Sequence, residues 1–481
     1  MKYIHKTVTV FSLAALLGGA PIAAFAQTEA PTEEEGSPIE EGSPVSEPLP
    51  QANPIDLYNQ GVDHFNAGRY EDCIAVLTQA LQIQPTYAEA YGYRGACYAL
   101  MENWETALNN VNRSLSLNSG LAPAYFLRGY IYYNTDQPDL ALADFNQSLQ
   151  LDPSYYNAYL YRGYVDADRA NYQAAIEDFN SAISLRPEAA EPYFHRGSAY
   201  AELDSDVSAI EDFTNAIDIR QQQRQRYPEA HVGRGVAYYK LGDYEAALED
   251  FDTAIQFNAD DPEAYFNRSH VYALWNRGNL AIADLDRTLD LDPNNVQAYV
   301  NRGSIYAARG NVQAALDDFD SALALEPESA EVYKKRADAR LALEDDLGAI
   351  RDYSEAIALD PDYAEAYKSR GEAYALADDP QSALVDFTQA INIRPDYLEA
   401  YKSRAQMYVA LNNYQRAYDD YTFLIRSEVE EANVYYGRAY SLIQLGNRQG
   451  ATSDLQRASE LFLQEGDAEG YRVVIETMRS L

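Results

Sequence analysis

The side chains that could do chemistry are few and their spacing is informative. Four histidines follow residue 26: His64, His195, His231 and His270. Imidazole is the usual general base near neutral pH and a common metal ligand. The last three fall on neighbouring helices of the pattern described below, but at different helical positions, so convergence on one metal is not expected. No Gly-rich phosphate loop, H-E-x-x-H or G-x-S-x-G motif occurs. Arginine and aspartate, in contrast, recur in strict register. The aspartates are Asp144, Asp178, Asp212, Asp250, Asp284, Asp318, Asp352, Asp386, Asp420 and Asp454. Ten equivalent copies make poor active sites, so the expected role is structural: partly buried, bidentate Arg–Asp pairs that join helices. No catalysis, cofactor or metal is expected.

The elements that position these residues come from one repeated unit. In residues 295–327, Tyr299, Arg302, Gly303 and Tyr306 lie at helical spacings, Gly310-Asn311 breaks the pattern, and Ala315, Phe319 and Ala322 resume it before Pro327. Two short amphipathic helices of this kind cannot bury their apolar faces alone. Arg302-Gly303 recurs as Arg94-Gly95, Arg128-Gly129, Arg162-Gly163, Arg196-Gly197, Arg234-Gly235 and Arg370-Gly371. Arg268-Ser269, Arg336-Ala337, Arg404-Ala405 and Arg438-Ala439 continue the series, and Gly61 begins it. The step is 34 residues, except 38 between Gly197 and Gly235, which gives twelve units.

A 34-residue helix–turn–helix with an aromatic at position 4, small residues at 8, 20 and 27 and proline near 32 resembles the tetratricopeptide repeat family. The resemblance runs from about Pro54 to Leu461 and implies an all-α, right-handed α-solenoid of twelve units. The arginine stands at position 7 and the aspartate at position 23. Pairing within a unit leaves only Arg94 without a partner. Pairing each aspartate with the next unit's arginine strands Arg94, Arg128 and Asp454, so the count favours pairs within units.

The resemblance also implies a concave surface lined by the first helix of each unit, with positions 2, 5, 9, 12 and 13 facing it. Those positions hold Phe126, Tyr130, Tyr133, Leu160, Tyr164, Phe194, Tyr239 and Phe266 in units three to seven, and Lys334, Lys368 and Lys402 in units nine to eleven. The expected function is a non-catalytic scaffold or adaptor that holds an extended peptide or helix of a partner protein in this groove. The alternative is a periplasmic component of a polysaccharide synthesis or export system, with the aromatics stacking on sugar rings. Lysine–asparagine capture of a chaperone's C-terminal carboxylate, known in the family, would need asparagine at position 9, and none stands there.

Composition agrees with an array. Most of the 42 tyrosines fall at positions 4 and 11, where the pattern assigns them to packing. Residues 1–26 have a basic head, an apolar run and an Ala24-Phe25-Ala26 cleavage site, as a secretory signal peptide does. Their removal takes two lysines and no acids, moving the net charge from −38 to −40. So acidic a chain excludes nucleic-acid binding, and no stretch is long enough for a transmembrane span. Residues 27–53, rich in proline and glutamate, read as a disordered tether, residues 54–465 as the solenoid and 466–481 as a capping helix. The expected location is the periplasm or cell envelope. Cys73 and Cys97, the only cysteines, occupy core positions of units one and two. Export would permit a disulfide, but two packed thiols are the expectation.

Overall fold

The computed structural model describes residues 53–481, so the expected signal peptide and almost all of the tether lie outside the described residues. Among them the chain forms 25 helices and no strand, in two compact bodies divided after Ala259. The first body holds α1 (Pro54–Asn66), α2 (Tyr70–Ile83), α3 (Ala88–Leu100), α4 (Trp104–Leu117), α5 (Ala122–Asn134), α6 (Pro138–Leu151), α7 (Tyr156–Asp168), α8 (Tyr172–Leu185), α9 (Ala190–Glu202), α10 (Asp206–Gln222), α11 (Pro228–Leu241) and α12 (Tyr244–Phe257). The second holds α13 (Pro262–Leu274), α14 (Gly278–Leu291), α15 (Val296–Ala308), α16 (Val312–Leu325), α17 (Ala330–Leu341), α18 (Asp346–Leu359), α19 (Ala364–Leu376), α20 (Pro380–Ile393), α21 (Leu398–Ala410), α22 (Tyr414–Arg426), α23 (Ala432–Gln444), α24 (Arg448–Glu465) and α25 (Ala468–Ser480). Odd-numbered helices through α23 are the A helices of repeats one to twelve, and even-numbered ones are their B helices.

Each repeat turns at position 15, where the backbone is left-handed. Gly68, Gly242, Gly310 and Gly446 take this conformation freely, but Glu102, Asp136, Ala170, Asp204, Asn276, Glu344, Asp378 and Asn412 adopt it too, with φ of 52–61°. The following amide closes the turn onto the carbonyl five residues back, as in Asn103 N–H to Tyr98 O and Asn311 N–H to Tyr306 O. That is the Schellman closure of a helix C-terminus, and it aims the B helix back along the A helix.

Inside the pair, position 8 sits against position 24. A Cβ on Gly129 would stand 2.7 Å from Phe145 Cε1, so glycine there permits a fully buried phenylalanine. Gly129→Ala gains helix propensity but forces the ring aside. A net loss of about 1–2 kcal/mol in repeat three is expected, read by hydrogen exchange of α5 and α6 amides.

The ends differ from the middle. Asn53 caps α1 by accepting the Ile55 N–H at 3.0 Å. At the other end α25 lays Val474, fully buried, with Tyr471 and Met478 against Leu461 and Phe462. Cys73 and Cys97 are joined as a disulfide, with Cα atoms 6.9 Å apart and both side chains fully buried. This corrects the expectation of two packed thiols. Helix α2 of repeat one and α3 of repeat two bring the two positions face to face, and residue type alone does not reveal that approach.

Candidate functional site: the arginine ladder and the helix-A wall

Arginine at position 7 leaves the A helix, and aspartate at position 23 meets it from the B helix of the same repeat. Ten rungs form, from Arg128–Asp144 to Arg438–Asp454, each with Nε donating to Oδ2 at 2.7–2.9 Å and Nη2 to Oδ1 at 2.6–2.9 Å. The aspartates are buried, and the arginines are mostly so. Arg94 finds no aspartate and donates instead to Asn110 Oδ1 at 2.8 Å. Pairing is therefore within repeats.

Two further contacts, not apparent from the sequence pattern of positions 7 and 23, extend most rungs. The remaining guanidinium nitrogen, Nη1, reaches back to position 25 of the preceding repeat: Thr78 from Arg94, Asn112 from Arg128, Asp286 from Arg302, Asp320 from Arg336 and Ser354 from Arg370. Each such arginine ties three helices in two repeats. Position 4 tyrosines lie beside the same guanidinium, as Tyr299 does 5.7 Å from Arg302 and Tyr367 5.5 Å from Arg370. This explains many of the tyrosines as partners of the ladder.

Repeat six departs from this scheme. His231 replaces the position 4 tyrosine, and its Nδ1 lies 2.7 Å from Asp250 Oδ1, which also accepts from Arg234. Burial raises carboxyl pKa, and in Asp178, Asp212 and Asp420 it outweighs the single arginine, so these stand above the ordinary value. At Asp250 burial acts the same way, but hydrogen bonds from Arg234 and His231 together hold the carboxyl below it. Stability from Asp250 is thus present above the ordinary carboxylate pKa and lost as pH falls through its depressed value. Replacing His231 with tyrosine is expected to move the Asp250 pKa upward, towards those of Asp178, Asp212 and Asp420. Carbonyl-carbon NMR titration of the two proteins checks this, and an unchanged midpoint would contradict it.

The other histidines are also engaged. His195 packs its ring 4.4 Å from Tyr164, and His270 Nε2 lies 2.8 Å from Asn301 Nδ2. Among the described residues no group of three or more His, Cys, Asp or Glu could hold a metal.

The structure divides the sequence-selected groove residues. Phe126, Tyr130, Leu160 and Phe194 are at most 5% exposed and belong to the core. The reason is the closeness of neighbouring A helices: Phe126 lies 5.4 Å from Tyr155 and 5.5 Å from Tyr161, both contributed by repeat four or its lead-in. These four therefore offer no ring face to a ligand. Tyr133, Tyr164, Tyr239 and Phe266 remain half-buried. Tyr133 donates its hydroxyl to Asp168 at 2.8 Å, and Tyr239 packs 5.7 Å from Tyr244. The lysines also stay half-exposed, each with an acid: Lys334 on Asp338 at 2.8 Å, Lys368 on Glu372 at 2.7 Å, and Lys402 on Glu431. Among the described residues no helix is long and apolar enough to cross a membrane.

Consecutive helix pairs closed by left-handed turns and tied by a position 7 ladder define an all-α helical-repeat array. The chain belongs to the tetratricopeptide repeat family. A family model described as TPR repeat matches residues 163–204, 235–274 and 337–377, and three described as tetratricopeptide repeat match 270–344, 122–155 and 54–87. No curated protein matches the sequence. Among solved structures, the Cut9–Hcn1 hetero-tetramer of the APC/C has 12% identity and a TM-score of 0.45, covering 89% of this chain and 96% of that one. Yeast Tom70 has 17% identity and a TM-score of 0.35, covering 89% and 95%. YrrB, described as a TPR protein with an unusual peptide-binding site, has 21% identity and a TM-score of 0.35, covering 40% and 98%.

Proposed function

We propose that this protein is a non-catalytic interaction scaffold, exported to the periplasm or cell envelope, that holds an extended segment of a partner protein along its helix-A wall. The observation that carries the reading is the row of ion pairs in the second body. Lys334, Lys368 and Lys402 stand at position 5 of three successive repeats, with side chains 22–38% exposed and their acids 40–48% exposed. A row that repeats once per helix pair can exchange its internal partners for the charges and amides of an extended chain, which presents such groups periodically. Support for export comes from the sequence of residues 1–26 and from the Cys73–Cys97 disulfide, a bond that persists in oxidising compartments. A protein ligand is favoured over a glycan because four of the side chains selected for the groove, among them three aromatics suited to sugar stacking, are buried in the core.

A photo-crosslinking amino acid placed at Lys368, and separately at the exposed Glu355 on helix B of repeat nine, tests this in envelope extract. Crosslinks to one protein from position 368 and none from 355 are expected. Equal labelling from both, or measurable turnover of a substrate by the purified protein, would overturn the reading.

A further inference from the structure

The connection between repeats five and six is the one interior link that breaks the 34-residue step, and it is built rather than slack. Helix α10 runs 17 residues where α12 has 14, and ends in a turn with Gln223 N–H on Ile219 O, Arg224 N–H on Gln221 O and Gln225 N–H on Arg220 O. Gln223 also donates its side-chain amide to Glu188 O at 3.3 Å, tying the turn to the start of repeat five. Arg224 is left-handed at φ 58°, a conformation disfavoured for a non-glycine residue.

From Arg220 to Tyr227 this link carries three arginines and no acid, in a chain of 75 acidic and 37 basic residues. Arg220 is neutralised by Glu191 and lies 5.4 Å from the Tyr227 ring. Arg226 lies 5.2 Å from the Phe257 ring, and among the described residues neither it nor Arg224, at the left-handed position, has a carboxylate partner. The contrast with the ladder is informative. Every ladder arginine is given a carboxylate or amide, whereas Arg224 and Arg226 are exposed and, among the described residues, unneutralised, with Arg226 held on the Phe257 ring.

We propose that this link is a docking element for an acidic segment of a partner protein, with Arg224 and Arg226 supplying the guanidinium groups and Gln221 and Gln222 lying alongside to hydrogen-bond its main chain. Guanidinium forks match carboxylates in two-point geometry, and stacking of Arg226 on Phe257 removes part of the ordering cost before the partner arrives. Local attraction survives the chain's overall negative charge, because at physiological salt charges act over about 8 Å. The link belongs to the first body and the lysine row to the second, so each is tested by its own variants.

The test titrates a fluorescein-labelled (Glu-Gly)8 peptide by anisotropy into the mature chain, into its Arg224→Glu/Arg226→Glu variant, and into a control, Arg448→Glu/Arg479→Glu, carrying the same charge change at exposed sites in the second body. All four substituted positions are on the surface, and circular dichroism of the three proteins checks that helix content is equal. Binding weakened about tenfold or more in the loop variant, and less than about threefold in the control, is expected. Equal weakening in both would reduce the effect to net charge and overturn the proposal. So would binding that requires deletion of residues 27–52, which would make the chain's own acidic stretch the occupant. Displacement of the peptide by a uronate oligosaccharide at lower concentration than the peptide itself needs would assign the site to a polyanionic glycan instead. Crosslinking at Lys368 is read separately, so loss of this proposal leaves the helix-A reading intact.

Discussion

Replacing Arg302 with methionine is expected to destabilise repeat eight by about 3–5 kcal/mol, because it leaves the buried Asp318 carboxylate without its bidentate partner. Arg302 side-chain exposure is 19% and that of Asp318 is 6%, so solvent screens the pair little. The same change frees Asp286 in the preceding repeat, which Arg302 holds at 2.6 Å. Damage should therefore spread to α14 as well as α15 and α16. The paired replacement Arg302→Met/Asp318→Leu removes both charges and should recover much of the loss, giving a coupling energy of about 2–3 kcal/mol. Residue-resolved hydrogen exchange is the right readout, because long repeat arrays need not unfold in one step. Additive losses with no coupling would remove the ladder from any role in stability.

Reduction of Cys73–Cys97 is expected to cost repeat one about 3.5 kcal/mol, the loop-closure value for a crosslink between residues 24 apart in sequence. Among the described residues repeat one packs on a neighbour at one side only, so no second repeat compensates there. Because both sulfurs are buried, reductant must wait for a local opening, and the loss should develop slowly. Limited proteolysis with and without dithiothreitol would show cleavage confined to α1 and α2 after reduction. Equal resistance in both states would mean that packing alone holds the first repeat.

The period, the turn sites and the ladder partners were legible because each depends on spacing within one repeat. Gly303 and Phe319, or Arg302 and Asp318, meet wherever a helix pair closes through position 15. What was not legible depends on how one repeat meets the next. Burial of Phe126 and Phe194 is set by the gap between adjacent A helices, which the period of a single helix does not encode. The Arg–position 25 contacts do leave a signal in the sequence, a run of short polar residues including Thr78, Asn112, Asn146, Asn180, Asp286 and Asp320. Set beside the arginine 16 residues further on, in the next helix, that run predicts the inter-repeat tie. Thr422 occupies the same position in repeat eleven, yet its buried hydroxyl has no hydrogen-bond partner; nothing in the structure explains that exception.

Stacking as the source of order is tested most directly by a length series cut from the second body: one helix pair (residues 296–327), then two, three and four consecutive repeats, each followed by far-ultraviolet circular dichroism against temperature. Cooperative helical melting should be absent from the single pair, then emerge and climb in midpoint with each added repeat. A single pair that melts cooperatively at the temperature of the four-repeat fragment would contradict the account.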